Sequence, residues 1–453
     1  MARKQILILS NHSGGLYDFR KDLISELKKY ASVTVAVPHN DRWNELLHLA
    51  DCVIELPIDR RGMNPLHDSK LFHQYRVILK EVKPDLVLTY TIKPNIYGGL
   101  ACRMAHIPYA VNITGLGSAI ENGGWLKKFV LALYKPALKG ARVVFFENAG
   151  NRDTLAATGV VPKGRDVVLN GAGVNLEDYP YQSYPQEGAV RFLFVGRVMH
   201  EKGVDELFAA AKRMKQEYGD GVEFHIVGSF EEGYKSLMDE LEKAVVVKYH
   251  GYQSDMKRFY AMASCVVLPS YHEGMSNVLL EAAASGRPLI TSDIPGCREA
   301  VEDGNSGYLC PAKDANALYG AMQRVMELSV EQRSEMGRRG RERMQALFCK
   351  RITISRFVFL INETCHHQDM KKLKATQITA WLVAHDYLEE IEVNDGDACK
   401  TSTEQGQKIG ITSFKKQNSR GNEYITNMYN RGAQEFILNT VLPQIATAWL
   451  IDT

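Results

Sequence analysis

A chain of 453 residues, 45% hydrophobic and 24% charged, has the composition of a soluble globular protein and the length for two domains or three. Its formal net charge of +2 gives no bulk attraction to nucleic acid, although residues 1–185 are the basic part, with 23 Lys/Arg against 17 Asp/Glu, and the remainder carries 32 against 36. No apolar run approaches the roughly 20 residues of a membrane span, so any membrane role is expected to be peripheral. Ile6 to Leu9 is too short for a signal-peptide core, and eight cysteines without C-x-x-C spacing read as reduced cytosolic thiols.

In chain order, Gln5 to Leu9 reads as a buried strand, followed by the loop S-N-H-S-G-G-L-Y-D-F-R and a helix from about Asp18 to Tyr30. Strands follow at Ser32 to Val37, Asp85 to Tyr90, Tyr109 to Ile113 and Val143 to Glu147, separated by helical or turn-rich segments. That alternation predicts a parallel sheet with helices on both faces, whose ligands collect beyond the carboxyl ends of the strands. Gly14-Gly15 lies in such a loop, and reads either as a tight turn or as a backbone cradle for phosphate. Leu126 to Lys139 mixes aliphatic and aromatic residues with four lysines. As a helix it suits an anionic membrane surface, or it packs its apolar side on the domain. Gly171-Ala172-Gly173 lacks the third glycine and the following helix of a dinucleotide loop. Asp178 to Gly188, rich in Pro and Tyr, reads as a linker.

A second sheet domain begins at Val190 to Val195, with a helix at about Val204 to Tyr218 and strands at Glu223 to Val227, Val245 to Tyr249, Cys265 to Leu268 and Pro288 to Ser292. Its first strand runs into Gly196 to Gly203, a turn carrying Arg197 and Lys202. These two cations either reach one pyrophosphate together or are solvated surface charges. The most informative stretch is Ser270 to Ile290. There a strand and a turn deliver Glu273 and Gly274, and a helix opens near Ser276 or Asn277 with Leu279, Leu280, Ala283 and Ala284 on its apolar side. Such a joint aims free backbone N–H groups and a positive helix end at one spot. Glu273 and Glu281 flank that spot, with Glu281 expected in the first turns of the helix and not buried in its middle. A ligand with an anionic centre and hydroxylated ends, a nucleotide-sugar, fits this pattern.

The run F-V-G-R-V-M-H-E-K-G, followed about seventy residues later by E-G-M-S-N-V-L-L-E, resembles the retaining GT-B glycosyltransferases of family 4. S-N-H-S-G-G-L-Y-D-F-R and the segment Gly115 to Ser118 are similar to the branch that adds a hexose or N-acetylhexosamine to undecaprenyl-diphosphate-linked saccharides. The resemblance covers about residues 4–363. It implies an α/β fold of two Rossmann-like domains facing a cleft, 1–180 with a return helix at 351–363, and 189–350. It also implies a catalytic set of Glu273, Arg197 and Lys202: the two cations neutralise the donor diphosphate and Glu273 contacts the donor sugar. Glu281 would hold the ribose. Gly14, Gly15, Gly196, Gly274, Met275, Ser276 and Asn277 would complete the donor site, largely through backbone amides. Arg20, Thr114, Lys127, Lys128 and Lys135 would face the acceptor and the membrane. Some relatives place a histidine where this chain reads Thr114-Gly115, so no side-chain base is named. The expected co-substrate is a nucleotide-sugar, UDP-linked as in most of that branch, with no cofactor and no metal. The expected place of action is the inner face of the cell membrane.

Asp395-Gly396-Asp397 has a metal-like spacing but sits in a turn signature, which favours solvated carboxylates, and His366-His367 reads as exposed linker. Val330 to Phe348 reads as a charged, solvated helix face, with acidic-lipid contact as the alternative. Arg351 to Asn362 reads as the last helix of the double-sheet architecture. Beyond it, 371–453 resembles a small winged-helix-like module. A helix is expected at Thr376 to Leu388, a short one over 401–411, a hairpin about Gly421 and a closing helix from Gly432 to Trp449. Its near-neutral charge favours a protein-interaction or dimerisation role over DNA binding. Three alternatives to lipid-linked sugar transfer stand: transfer to a soluble acceptor, nucleotide-sugar epimerisation, and a sugar-nucleotide-sensing regulator acting through the tail.

Overall fold

The structure is a computed structural model. It describes residues 3–365 apart from 60–61, 63, 118–119, 121–122, 187 and 232, and beyond them 391–393, 398–402 and 408–412. Seven strands form the first sheet: β1 (Lys4–Leu9), β2 (Ala31–Val37), β3 (Cys52–Glu55), β4 (Leu86–Tyr90), β5 (Tyr109–Ile113), β6 (Val143–Phe146) and β7 (Asp166–Val168), in the order β3-β2-β1-β4-β5-β6-β7. Six form the second: β8 (Val190–Val195), β9 (Val222–Val227), β10 (Lys248–Tyr249), β11 (Cys265–Leu268), β12 (Leu289–Ser292) and β13 (Gly307–Cys310), in the order β10-β9-β8-β11-β12-β13. Their recorded pairings are parallel. The inner strands β4 (LVLTY) and β11 (CVVL) are buried along their whole length, because helices cover both faces of each sheet. In each sheet the strand order reverses once, between β1 and β4 and between β8 and β11. Loops leaving the carboxyl ends diverge at such a point and open a crevice.

Sequence periodicity misses β3, β7 and β13, which are edge strands of three or four residues, too short to show a period of two. The expected strand Val245 to Tyr249 shrinks to its last two residues. Val245 takes a left-handed conformation, φ 55°, to leave the preceding helix, Lys235–Lys243. The first helix starts at Ser13 and runs to Leu27, so Gly14 and Gly15 lie in its opening turn and not in a loop.

Asp178 to Gly188 is irregular where described, and two arginines strap this linker to the second sheet domain. Wholly buried Arg287 donates from Nη2 to the carbonyls of Gln182 and Ser183, at 2.7 and 2.8 Å. Arg341 donates to the carbonyls of Tyr179, at 2.6 Å, and Ala284, at 2.8 Å. The solvated-face reading of Val330–Arg343 therefore holds for Arg338 and Arg339, which pair with Glu335 in the open. It fails for Arg341 and for Arg343, which turns in to the carbonyl of Glu299.

Gln5–Lys21 with Val33–Thr353 make one compact unit, holding nearly all of both parallel sheets. Met1–Lys4, Asp22–Ser32 and Ile354–Thr453 make the other. Within that second unit, β14 (Ile391–Val393), β15 (Ala398–Ser402) and β16 (Lys408–Thr412) form an antiparallel sheet. Where 401–411 is described, at 401–402 and 408–411, it is strand and not the short helix expected there. The alternation in A-C-K-T-S and K-I-G-I-T supports extended chain better than helix. The expected Thr376–Leu388 helix, the hairpin about Gly421, the Gly432–Trp449 helix, Asp395, Asp397 and His366-His367 lie outside the described residues. Among the described residues no helix is long and apolar enough to cross a membrane.

Candidate active site

The two switch points face each other across a cavity of about 1270 Å³, lined by loops after β1, β4, β5, β6, β8 and β11. From the second sheet domain come Gly196, Arg197, Lys202 and the run Glu273 to Val278. From the first come Gly14, Gly15, Arg20, Thr114 and Glu147.

Close backbone approach builds the E-G-M-S loop. A Cβ on Gly274 would stand 1.8 Å from the Thr114 carbonyl oxygen, and one on Gly203 (φ 69°) would stand 2.0 Å from that of Pro269. Only glycine fits either place. The Asn148 carboxamide donates to the Gly274 carbonyl and so ties the loop to the end of β6. Ser276 then caps the helix Asn277–Ala284, its Oγ accepting the Leu279 N–H at 3.5 Å. The amino end of that helix opens on the cavity, where it favours negative charge.

Lys202 ends a short 3-10 turn, His200–Lys202, and its Nζ lies 2.5 Å from Glu273 Oε1. Ser270 Oγ donates to the same oxygen at 2.8 Å. With side-chain exposures of 22% and 14%, this pair is shielded enough for its charges to count. Arg197 is exposed and contacts Glu231 at 3.4 Å, a contact of the kind worth little in water. Gly14 keeps room for the chain: a Cβ there would sit 3.0 Å from both Asp41 Cβ and His12 Cε1. The Gly15 N–H donates to His12 Nδ1 at 2.9 Å, which assigns the ring proton to Nε2.

Glu281 departs from its expected setting. The helix is only eight residues long, Glu281 is its fifth, and its carboxyl end is enclosed although the residue as a whole is half-buried. Tyr260 donates its hydroxyl at 2.9 Å, and the Tyr179 hydroxyl bonds the same carboxyl. Burial pushes that carboxyl up to about 7 against the lowering effect of both tyrosines. Glu281 is not among the residues lining the cavity. Nor are Lys127, Lys128 and Lys135, which lie on the helix Gly124–Leu138.

Several cavity residues take no role from the sequence reading: Asn11, which lies inside the S-N-H-S-G-G loop, and Tyr90, Glu147 and Tyr252. Glu147 was within reach, because it ends a predicted strand and strand ends are where such sheets bind. It is largely buried and receives Arg20 Nη2 at 2.6 Å. Burial raises its carboxyl above the usual range, opposed by Arg20 and reinforced by Glu273.

Two family models match the chain: the description "Glycosyl transferase 4-like" over residues 5–148, and "Glycosyl transferases group 1" over residues 178–343. The chain belongs to the glycosyltransferases. This glycosyltransferase is 29% identical over 341 residues to the N,N'-diacetylbacillosaminyl-diphospho-undecaprenol alpha-1,3-N-acetylgalactosaminyltransferase of Campylobacter jejuni, covering 71% of its own length and 89% of the relative's. It is 25% identical over 290 residues to the UDP-Gal:alpha-D-GlcNAc-diphosphoundecaprenol alpha-1,3-galactosyltransferase of Escherichia coli, covering 59% and 73%. Sucrose-phosphate synthase from Thermosynechococcus elongatus shares its fold with a TM-score of 0.67 and 21% identity, over 80% of this chain and 99% of that one. The two facing parallel-sheet domains are the GT-B arrangement.

Proposed function

We propose that this glycosyltransferase moves a hexose or N-acetylhexosamine from a nucleotide-sugar, a UDP-sugar in the first instance, to a lipid-diphosphate-linked saccharide during cell-surface polysaccharide or glycan assembly. The observation that carries the reading is the shielded Lys202–Glu273 pair beside a helix amino end, facing Arg20 and Glu147 across one cavity. The names of the Campylobacter and Escherichia relatives, both specifying undecaprenyl-diphosphate-linked acceptors, support the acceptor class.

In the proposed reaction, Lys202, Arg197 and the helix end stabilise the diphosphate as its bond to the anomeric carbon breaks. The acceptor hydroxyl forms the new C–O bond on the face the leaving group vacates, and its proton passes to the departing β-phosphate oxygen. The anomeric configuration is thereby retained. Positive charge comes from these side chains and backbone dipoles, so we propose that turnover needs no metal. Support for peripheral docking comes from the helix Gly124–Leu138. It buries Val130, Tyr134 and Leu138 while exposing Trp125 (72%) and Phe129 (49%) beside Lys128 and Lys135. A soluble acceptor would leave that combination without a use.

The test is turnover of UDP-sugars with a synthetic prenyl-diphosphate N-acetylhexosamine, with and without EDTA, and NMR of the product anomer. Retention and EDTA-insensitive transfer are expected. An inverted product, or transfer only to soluble sugars, would refute the reading.

A further inference from the structure

The first-domain wall of the cavity holds polar groups that the donor chemistry leaves unused. Asn11, just past β1, and Tyr90, the last residue of β4, are 8% and 3% exposed, and both line the cavity. Among the described residues, neither the Asn11 Oδ1 nor the Tyr90 hydroxyl has a hydrogen-bond partner. Buried polar atoms are normally paired, so two orphans on one cavity wall mark a place where a ligand's hydrogen bonds are made. The Arg20 guanidinium stands 5.2 Å from the Tyr90 ring centre and acts on its hydroxyl without a full hydrogen bond, because its own donor goes to Glu147. Glu147 also accepts the Met275 N–H, and its Oε2 would lie 3.0 Å from a Cβ on Gly274. It therefore meets the E-G-M-S loop from the opposite domain, at the seam where two substrates must touch.

We infer that Asn11, Tyr90 and Glu147 form the subsite for the acceptor's sugar ring, with Glu147 orienting the attacking hydroxyl and Arg20 acting as the positioning residue that holds Glu147. The inference rests on the glycosyl-transfer reading above. Its chemistry selects the ring over the acceptor's diphosphate. An amide oxygen and a carboxylate accept hydrogen bonds from hydroxyls and repel phosphate, while Arg20 is already matched by Glu147. Glu147 keeps its charge state through the reaction; the hydroxyl proton leaves with the departing diphosphate oxygen.

The test uses the full chain, loaded with UDP for the binding measurement and supplied with a UDP-sugar for the transfer measurement. The probe is a water-soluble phenoxyalkyl diphosphate N-acetylglucosaminide, with binding measured by calorimetry and transfer by initial rates. Tyr90→Phe deletes one oxygen and preserves the buried ring; Glu147→Gln keeps the shape and an accepting oxygen. Each is expected to weaken probe binding about tenfold, the size of one hydrogen-bonded hydroxyl contact, while UDP affinity changes less than twofold. Probe binding without sugar transfer in the wild type would count against the lipid-linked acceptor and leave the sugar subsite standing. The inference falls if the wild type does not bind the probe, if Tyr90→Phe binds it as the wild type does, or if UDP affinity falls in parallel.

Discussion

Glu281→Gln tests how the buried carboxyl beside the cleft is held. In the folded protein that carboxyl titrates at about 7, against 4.5 for a free glutamate side chain. Between those two values the folded chain holds a proton that the unfolded chain has released. Stability is therefore fully present below pH 4.5, falls as pH rises through the window, and has lost the whole contribution above about 7. At 1.36 kcal/mol per unit, the loss is about 3 kcal/mol. Glutamine keeps an oxygen for the Tyr260 and Tyr179 hydroxyls and cannot ionise, so it should recover that energy at pH 8 and little of it at pH 5. Calorimetry suits the assay, because it resolves separate transitions in a multidomain chain. At about 2–4 °C per kcal/mol, the transition of the unit that holds the two parallel sheets should rise by several degrees at pH 8. If Glu281 also receives the ribose hydroxyls, as the family resemblance implies, the same variant should bind UDP-sugar more weakly while being more stable. A lower melting point at pH 8, or the same gain at pH 5 and pH 8, would refute the account of an enclosed, destabilised carboxylate.

Lys202→Ala leaves Glu273 shielded without its cation, a change costing about 2–5 kcal/mol, and should abolish most turnover; wild-type kcat/KM would remove this pair from the proposed chemistry. Gly274→Ala drives a methyl into the Thr114 carbonyl and should destabilise the chain by more than about 1 kcal/mol in chemical denaturation, with activity falling alongside. Replacing Lys127, Lys128 and Lys135 together with Gln should weaken sedimentation with anionic vesicles by up to about 1 kcal/mol per lysine near the surface, an effect that disappears at high salt. Unchanged sedimentation would end the docking role of this helix.

The amino-acid sequence by itself determined the two parallel sheets, the helix at Val204–Tyr218 and the strand–turn–helix joint around Glu273. These depend on local properties: continuous apolar strands, a serine cap, and glycines where no Cβ fits. The family resemblance carried by its motifs also named Arg197, Lys202 and Glu273 together, on loops that leave the carboxyl ends of β8 and β11. Tertiary structure alone decided the rest. Glu281 looks like any carboxylate on a short helix until Tyr179, from the linker, and Tyr260, from another helix, close around it and strip away its water. Arg341 and Arg343 read as surface charges until the carbonyls of Tyr179, Ala284 and Glu299 are brought beneath them. Asn11, Tyr90 and Glu147 lie more than fifty residues apart in pairs and share no motif; they become one wall because β1, β4 and β6 end on the same side of one sheet. A periodicity records which way a side chain points from its own element, whereas desolvation and the sharing of a hydrogen bond depend on what other elements bring to it.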